Sequence, residues 1–477
     1  QASSQRSSTW NAWCNGALVS ESQPTPTTRL RHWTIAETMP AYLASVAASN
    51  YQVVRDTFPS IAGTEIPVTL VARPPDTTNM KNSFVNLPDA FALFEEWFGP
   101  YRWNKVGFVL TPQGAMEHAT SVHYPQSIAD GSLSYQEIMA HELAHHWFGD
   151  LVTCDRAEEM YVNEGFAEYL SYLFIEEVSG RRSYLSTVRA NHKKMVHQAH
   201  QLDEGWWALD SVPQEWTYGE HSYNKGADIA HSLRGYLGDS LFKVGFTSFL
   251  STYAFQHVNT ELMRDHLTQA TGVDLTDFFR DWVQQPGWSA FEIRDAQTTP
   301  NGNEWTVHAT LGQKVRGPAE PYHNVPITLV MFGSSLQEQH RVRIVASGDL
   351  TEVDVPCPFE PTSMWLNDDD LISMAITGST DTITNGGFHS MALANMDLTL
   401  PAITDTILVR AEQYWVGPDN DPVEDAFAFI VSPDRYWRLG GQIPEGTSAR
   451  IFYDGRDITT GNLDPLLMRD TLDFTFR

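Results

Sequence analysis

The chain has 477 residues, 42% of them hydrophobic, which is enough for about two to four domains with their own cores. Its 31 basic and 59 acidic residues give a net charge of −28, so nucleic acid and anionic membrane surfaces are poor partners. No stretch approaches the ~20 apolar residues of a membrane span, and the 3 cysteines allow one disulfide at most.

Strand and helix signals alternate in the first part of the chain. The segments EIPVTLVARP (residues 65–74) and VGFVLTP (residues 106–112) have the composition of strands. Pro88 and Asp89 favour the start of a helix that continues to Phe98, because proline fits the first turn of a helix. This mixture predicts an α+β fold.

The segment HELAHHWFGD (residues 141–150) contains the pattern H-E-x-x-H. Ser134 and Glu137 form the S-x-x-E pattern of a capping box before it, which predicts that the motif lies inside a helix with Gly149 as its stop. A second helix is predicted over residues 157–178.

Several side chains of these two helices suit a catalytic metal. His141 and His145 lie four positions apart, so a helix places them on one face, and Glu142 can be directed at a water on a shared ion. Glu164, on the second helix, is the third predicted ligand. Two imidazoles and one carboxylate leave a coordination position open, as in catalytic zinc sites. Glu168, one turn further, is placed to accept a hydrogen bond from a ligating histidine, and an ordinary surface glutamate is the alternative.

The predicted chemistry is hydrolysis at one Zn2+ ion. Zinc lowers the pKa of a bound water and polarises a carbonyl group. Glu142 would accept the proton of the water and deliver it to the leaving amine. The negative oxygen of the tetrahedral intermediate needs a further donor, for which a tyrosine hydroxyl is suited. Composition alone does not select that tyrosine among the 17 in the chain.

After residue 223 the pattern is helical to about Tyr253, and two more helices are predicted around residues 261–271 and 275–284. Pro286 and Gly287 end this helical part of the chain.

From Trp288 the apolar residues recur with a period of two, in EWTVHATL, PITLVMFG and HRVRIVAS. This alternation predicts a small β-sandwich over residues 288–376. Residues 377–396 are small and polar and predict a linker, and residues 397–477 predict a second β-rich domain.

The motifs together resemble one family. H-E-x-x-H followed, after eighteen residues, by N-E-G-F-A at residues 163–167 resembles the zinc aminopeptidases of the aminopeptidase N type, in the superfamily that includes leukotriene hydrolase. GAMEH at residues 114–118 resembles the exopeptidase motif G-A-M-E-N, and SYNKGA at residues 222–227 resembles the segment with the catalytic tyrosine. Residues 32–51 resemble the junction between the N-terminal β domain and the catalytic domain.

This resemblance implies roles for residues at matching positions. His141, His145 and Glu164 would bind the zinc ion. Glu142 would be the general base, and Tyr223 would stabilise the oxyanion.

The resemblance also implies a substrate-binding segment. Glu117 would bind the free α-amine of a peptide through a charge-assisted pair. Gly114, Ala115 and Met116 would form the edge along which the peptide backbone lies. His118 replaces the asparagine of better-known members, and it could donate to a substrate carbonyl, titrate near neutral pH, or have no special role.

The implied organisation is an α+β chain with a thermolysin-like zinc catalytic domain at residues 48–287, followed by the β-sandwich and the second small β-rich domain. Residues 1–47 would be a remnant of the N-terminal β domain, so a more open substrate site is expected. Because the chain begins with Gln1, a processed form or a fragment is expected. The tail resembles secreted bacterial relatives, which predicts a secreted, periplasmic or cell-surface location.

The resulting interpretation is a zinc-dependent aminopeptidase that acts on peptides with a free N-terminus. A thermolysin-like endopeptidase with an opened site is one alternative, and a catalytically inactive binding protein is another. The intact set of site residues argues against the binding protein, and no feature favours an epoxide hydrolase. The sequence does not define the preferred first side chain of the substrate or the oligomeric state.

Overall fold

In the computed structural model the described residues are 2–4, 9–419 and 434–452. The strands are β1 (Ala2–Ser4), β2 (Asn11–Cys14), β3 (Ala17–Thr25), β4 (Thr28–Thr34), β5 (Val46–Ser49), β6 (Gln52–Pro59), β7 (Glu65–Ala72), β8 (Val106–Thr111), β9 (Val122–Pro125), β10 (Val152–Cys154), β11 (Gln256–Val258), β12 (Trp288–Asn301), β13 (Glu304–Arg316), β14 (Val325–Phe332), β15 (Gln339–Ala346), β16 (Leu350–Cys357), β17 (Ser363–Leu366), β18 (Ile376–Ile383), β19 (Gly387–Met391), β20 (Met396–Leu400), β21 (Ile407–Tyr414), β22 (Tyr436–Gly441) and β23 (Ser448–Ile451).

The α-helices are α1 (Thr77–Ser83), α2 (Leu87–Phe98), α3 (Gln136–Ala144), α4 (Glu164–Ser179), α5 (Arg181–Leu202), α6 (Gly226–Thr252), α7 (Thr260–Thr271) and α8 (Thr276–Phe278). Short 3₁₀ turns lie at Ala41–Leu43, Pro74–Asp76, Ala157–Val162, Gln214–Trp216 and Ala392–Ala394, and π-helical turns lie at His221–Lys225 and Phe279–Val283. No helix within the described ranges is long and apolar enough to cross a membrane.

The described residues group into two compact units. The first contains the residues up to Thr187 together with Leu237–Leu275, and the second contains Val188–Tyr236 and the described residues from Thr276 onward. The mixed α and β content agrees with the predicted α+β class.

A four-stranded sheet of order β6-β7-β8-β9 lies in the first unit. Strands β7, β8 and β9 run parallel, and β6 pairs antiparallel with β7. Every residue of β8 is buried, as expected of a parallel strand that is covered on both faces. The predicted strands at residues 65–74 and 106–112 and the predicted helix from Pro88 to Phe98 are therefore confirmed. The N-terminal strands form the sheets β1-β4-β3 and β2-β5.

Aromatic side chains join α2, the chain that follows α3, and α4. The Trp147 ring contacts Phe94 at 5.7 Å, and the Phe148 ring stacks on Phe166 at 4.7 Å. These rings are buried, and burial of one large apolar side chain contributes about 1.5–3 kcal/mol. The contacts hold the two predicted metal-binding helices together.

The predicted capping box before α3 is wrong. The helix begins at Gln136, with Tyr135 at the capping position and no capping side chain. The N–H of Gln136 donates to the carbonyl of Leu133, and the N–H of Ile138 donates to the carbonyl of Tyr135. Backbone carbonyls of the preceding turn therefore act as acceptors at the start of α3, in place of a capping side chain.

The second unit contains four three-stranded sheets, in the orders β12-β13-β16, β15-β14-β17, β18-β21-β22 and β19-β20-β23. The first two are antiparallel and lie within residues 288–376, where alternating strands were predicted. Parts of the predicted C-terminal domain, residues 420–433 and 453–477, lie outside the described residues.

The prediction of a linker at residues 377–396 is wrong. Strand β18 pairs along its length with β21, and β19 pairs with β20. The segment is polar because much of it is solvent-exposed, but its threonines are favourable in strands. The polar composition of residues 377–396 therefore reflects their exposure to solvent and does not indicate the absence of strands.

Candidate active site

The predicted ligands lie where α3 ends and α4 begins. His141 is in the last turn of α3, His145 directly follows that helix, and Glu164 is the first residue of α4. The N–H of His145 donates to the carbonyl of His141 at 3.3 Å, so the helical spacing continues through both histidines. Gly149 follows with a φ of +122°, and a Cβ there would lie 2.8 Å from His145 Nδ1. Glycine is therefore required where the chain turns beside that ring.

The three ligand atoms form a compact triangle. His141 Nε2 lies 3.1 Å from His145 Nε2. Glu164 Oε2 lies 3.4 Å from the first nitrogen and 3.2 Å from the second. Ligand atoms about 2.0–2.1 Å from a tetrahedral zinc ion are roughly 3.3 Å from each other. The triangle thus has the size of one face of such a tetrahedron. Among the described residues, His141, His145 and Glu164 are the group whose ligand atoms lie close enough together to hold a metal ion.

The second nitrogen of each histidine is also engaged. His141 Nδ1 donates to Glu168 Oε2 at 3.0 Å, and His145 Nδ1 donates to the carbonyl of Phe148 at 2.9 Å. Glu168 is fixed in turn by the hydroxyl of Tyr172, which donates to Oε1 at 3.0 Å. Donation from Nδ1 leaves the Nε2 lone pair of each ring directed at the triangle, as in metal-bound histidines.

The electrostatics of this cluster favour a cation. Burial opposes protonation of His145, but the carboxylates of Glu164 and Glu117 outweigh it and raise its pKa to about 9. Burial also opposes protonation of His141, and hydrogen bonds to Glu164 and Glu168 hold its pKa well above the ordinary value. Burial raises the pKa of Glu164, yet the two histidines lower it overall. A buried site with this excess of negative charge stabilises a bound metal ion, so the residues present fit one divalent metal.

Glu142 lies on α3 beside the triangle. It is 5% exposed, and its Oε2 has no hydrogen-bond partner among the described residues. Burial raises its pKa to about 7, with His141 and His145 opposing the shift and Glu117 adding to it. A carboxylate with this pKa can exchange a proton near neutral pH. Its role as general base stays a prediction.

The GAMEH segment pairs with strand β9. The N–H and carbonyl of Met116 both bond to His123 at 2.9 Å, in an antiparallel bridge. Glu117 is 7% exposed, and its charge adds to burial in raising the pKa of Asp150. The rings of His118 and His123 lie 4.3 Å apart, and burial lowers the pKa of both. His118 is therefore neutral at pH 7, which favours hydrogen bonding over titration near neutral pH.

Tyr223 belongs to the second unit, where it lies in the π-helical turn His221–Lys225. Its role stays a prediction from the motif. Cys154 is a free, half-buried thiol in β10, and burial raises its pKa to about 12. It is not a member of the ligand triangle.

Three supporting contacts were not predicted. Tyr172 continues the four-residue spacing of Glu164 and Glu168, so extending that series would have found it. The contact between the rings of His123 and His118 depends on the pairing of separate segments. The acceptor for His145 is the backbone carbonyl of Phe148, which carries no signal in the sequence.

The paired histidines, the glutamate from a second helix and the unpartnered buried glutamate beside them define a metallohydrolase site of the H-E-x-x-H class. Residues 84–282 match the peptidase family M1 domain. The resemblance to zinc aminopeptidases that the motifs predicted is therefore confirmed over this part of the chain.

Relatives of this chain are aminopeptidases. The leucyl aminopeptidase of Saccharolobus solfataricus is 27% identical over 363 residues, which are 72% of this chain and 43% of that protein. Aminopeptidase M1-B of Oryza sativa is 30% identical over 224 residues, which are 41% of this chain and 24% of that protein. The crystal structure of Legionella pneumophila aminopeptidase A in complex with aspartic acid has a similar fold, with a TM-score of 0.63 at 18% identity over 76% of this chain and 42% of that one. The chain thus spans less than half the length of these relatives.

Proposed function

We propose that this chain is a zinc-dependent aminopeptidase that hydrolyses the first peptide bond of peptides with a free N-terminus. The observation that carries the proposal is the triangle of His141, His145 and Glu164, with both histidines oriented through Nδ1 and an unpartnered carboxylate atom of Glu142 nearby. When bound there, zinc would polarise a carbonyl group and lower the pKa of a water. We also propose, from the resemblance, a thermolysin-like catalytic domain and a location outside the cytoplasm.

In this proposal Glu142 is the proton carrier. Its Oε2 is buried and unpartnered within the described ranges, so a water that donates to it would satisfy an otherwise costly acceptor. With a pKa of about 7, the carboxylate can accept a proton from that water and return it to the leaving amine without a large energetic penalty in either direction. Tyr223 is proposed as the donor to the developing oxyanion, on the strength of the motif alone.

Glu117 gives the proposed enzyme its requirement for a chain end. A buried carboxylate is stabilised by an ammonium group that donates to it, and in a peptide substrate without lysine only the N-terminus carries one. Met116 uses both of its backbone groups in the bridge to His123. Because successive residues of an extended segment direct their backbone groups to opposite sides, those of Ala115 are on the side available to a peptide. His118 would donate to a substrate carbonyl.

The test measures cleavage of aminoacyl anilides and of the same compounds with a blocked N-terminus. Both sets are also measured with a chelator and after zinc is restored. Cleavage of free-amine substrates only, lost with chelator and regained with zinc, is expected. Glu117→Ala should lose at least about 100-fold in kcat/KM for free-amine substrates, because it leaves their ammonium group unpaired. The matched control Glu96→Ala removes an exposed glutamate that pairs with Lys243 and should retain full activity. Cleavage of blocked substrates, with Glu117→Ala fully active, would instead establish an endopeptidase.

A further inference from the structure

The π-helical turn that contains Tyr223 is an unusual local conformation in the second unit. The carbonyl of Glu220 accepts hydrogen bonds from the N–H of Asn224 at 3.0 Å and from the N–H of Lys225 at 2.9 Å. Single π turns are less favourable than regular α-helix and occur frequently at functional sites. Contacts from outside the turn are therefore needed to hold its shape.

Asp203 supplies such contacts before the tyrosine. This residue directly follows α5 and is 2% exposed. Its Oδ1 accepts from the N–H of Glu220 at 3.0 Å, and its Oδ2 accepts from the N–H of His221 at 2.8 Å. His221 Nδ1 donates to the same Oδ2 at 2.6 Å. Bonds to an ionised acceptor are about twice as strong as neutral ones, so three donors offset the loss of hydration of this buried carboxylate.

The His221 ring has a defined protonation state in this arrangement. Its Nε2 accepts from the N–H of Trp207 at 3.4 Å, so the proton is on Nδ1, where it is donated to Asp203. Burial lowers the pKa of His221, although Asp203 opposes the shift, and the ring is neutral at pH 7. Asp203 thus orients both the backbone and the side chain of the residue two positions before Tyr223.

Gly219 connects the carboxylate to the tyrosine directly. A Cβ at Gly219 would lie 2.6 Å from Asp203 Oδ1, so the close approach of that oxygen requires glycine. The carbonyl of Gly219 accepts a hydrogen bond from the N–H of Tyr223 at 3.3 Å. Gly219 therefore lies between the two residues, closely approached by Asp203 and hydrogen-bonded to the backbone of Tyr223.

The other side of the tyrosine is held as well. The side chain of Asn191, in α5, accepts from Asn224 Nδ2 at 2.7 Å and donates to the carbonyl of Asn224 at 2.8 Å. It also donates to Asp228 Oδ1 at 2.8 Å. Buried polar side chains therefore fix the backbone both before and after Tyr223.

We propose that Asp203 is a positioning residue for Tyr223. Through Gly219, Glu220 and His221 it fixes the backbone from which the tyrosine side chain extends. This inference rests on the proposed function, in which the Tyr223 hydroxyl donates to the oxyanion. A donor that acts only in the transition state affects kcat and not ground-state binding, so loss of its position should do the same.

The experiment measures kcat and KM for Asp203→Asn in two backgrounds, one with Tyr223 and one with Tyr223→Phe, which lacks the hydroxyl. The substitution keeps the size of the side chain, removes its charge and replaces one acceptor oxygen by a donor. We expect kcat to fall about 10- to 100-fold with KM within about threefold. In a Tyr223→Phe background the same substitution should lower kcat by less than about threefold, because coupled residues are not additive. Asp354→Asn, in an exposed Asp–His pair with His308, is the matched control and should leave kcat unchanged.

Each outcome separates this inference from the proposed function. An equal fall in kcat in both backgrounds would overturn the positioning role of Asp203 and leave the aminopeptidase proposal intact. Full activity of Tyr223→Phe would overturn the oxyanion role of the tyrosine and this inference with it. If Asp203→Asn does not fold, Gly219→Ala disturbs the same contact without changing charge, and the same dependence on Tyr223 is expected. Additive effects of Gly219→Ala and Tyr223→Phe would overturn the inference.

Discussion

Substitution of Glu168 tests how a residue outside the ligand triangle affects metal binding. Its carboxylate does not belong to the ligand triangle, but Oε2 accepts from His141 Nδ1 at 3.0 Å and Oε1 accepts from Tyr172 at 3.0 Å. Burial raises the pKa of Glu168, yet the bond to His141 lowers it overall, so the group is ionised at pH 7. It therefore orients the His141 ring and increases the basicity of Nε2.

The size of the effect follows from what each substitution removes. Glu168→Ala removes the acceptor, and loss of such an outer partner lowers metal affinity about 10- to 100-fold, which is about 1.4–2.7 kcal/mol. Glu168→Gln keeps a carbonyl acceptor and loses the charge. Because a charge-assisted bond is about twice as strong as a neutral one, the loss should be roughly half as large in free energy, or about 3- to 10-fold.

Zinc affinity is measured by competition with a chromogenic chelator on the purified chain. Glu176→Gln, on the same helix in an exposed pair with Arg181, is the control and should bind zinc like the unsubstituted chain. Zinc affinity of Glu168→Ala within twofold of the control would refute the reasoning, since His141 would then be oriented without Glu168.

Two further predictions concern proton transfer and buried charge. Glu142→Gln should lower kcat about 10²- to 10⁴-fold and leave zinc affinity within about threefold, because it removes a proton acceptor and no ligand; a parallel loss of zinc in the chelator assay would contradict this. Lys105 Nζ donates to the carbonyls of Cys14 at 3.0 Å and Gly16 at 2.5 Å, and burial lowers its pKa from 10.5 to about 7. Between pH 7 and pH 10.5, Lys105 therefore binds more protons in the unfolded chain than in the folded chain. The free energy of unfolding of the unsubstituted protein, relative to that of Lys105→Met, should rise with pH across this range, by at most about 1.4 kcal/mol per pH unit. Urea unfolding of both proteins at pH 7 and pH 9 measures this, and a constant difference would be contrary to it.

The sequence was most informative where a local repeat determines the geometry. The four-residue spacing of His141 and His145 fixed their common face, and the same spacing placed Glu168 beside the site. Apolar runs predicted strands β7 and β8, and β8 is buried along its whole length, as expected of a strand that is covered on both faces.

The failures have physical reasons as well. The pattern at Ser134 and Glu137 satisfied the capping rule, but a turn of the backbone already supplied the acceptors at the start of α3. The polar composition of residues 377–396 concealed strands whose pairing partners lie later in the chain. The carbonyl of Phe148 that orients His145 has no side-chain identity, so no pattern of residues could have predicted it.

Several carboxyl groups of the first unit are buried at and around the candidate metal site. Glu117, Glu142, Asp150 and Glu164 are each at most 7% exposed, and neither oxygen of Asp150 accepts a hydrogen bond among the described residues. Burial, with the neighbouring carboxylates, raises the pKa of Asp150 and Glu142, which means that the cluster resists ionisation unless positive charge is present. Apolar residues of similar size would pack the same space with less desolvation penalty. Such a cluster is therefore a poor way to stabilise a fold and a good way to bind a cation beside a proton acceptor, which are the two requirements of metal-assisted hydrolysis.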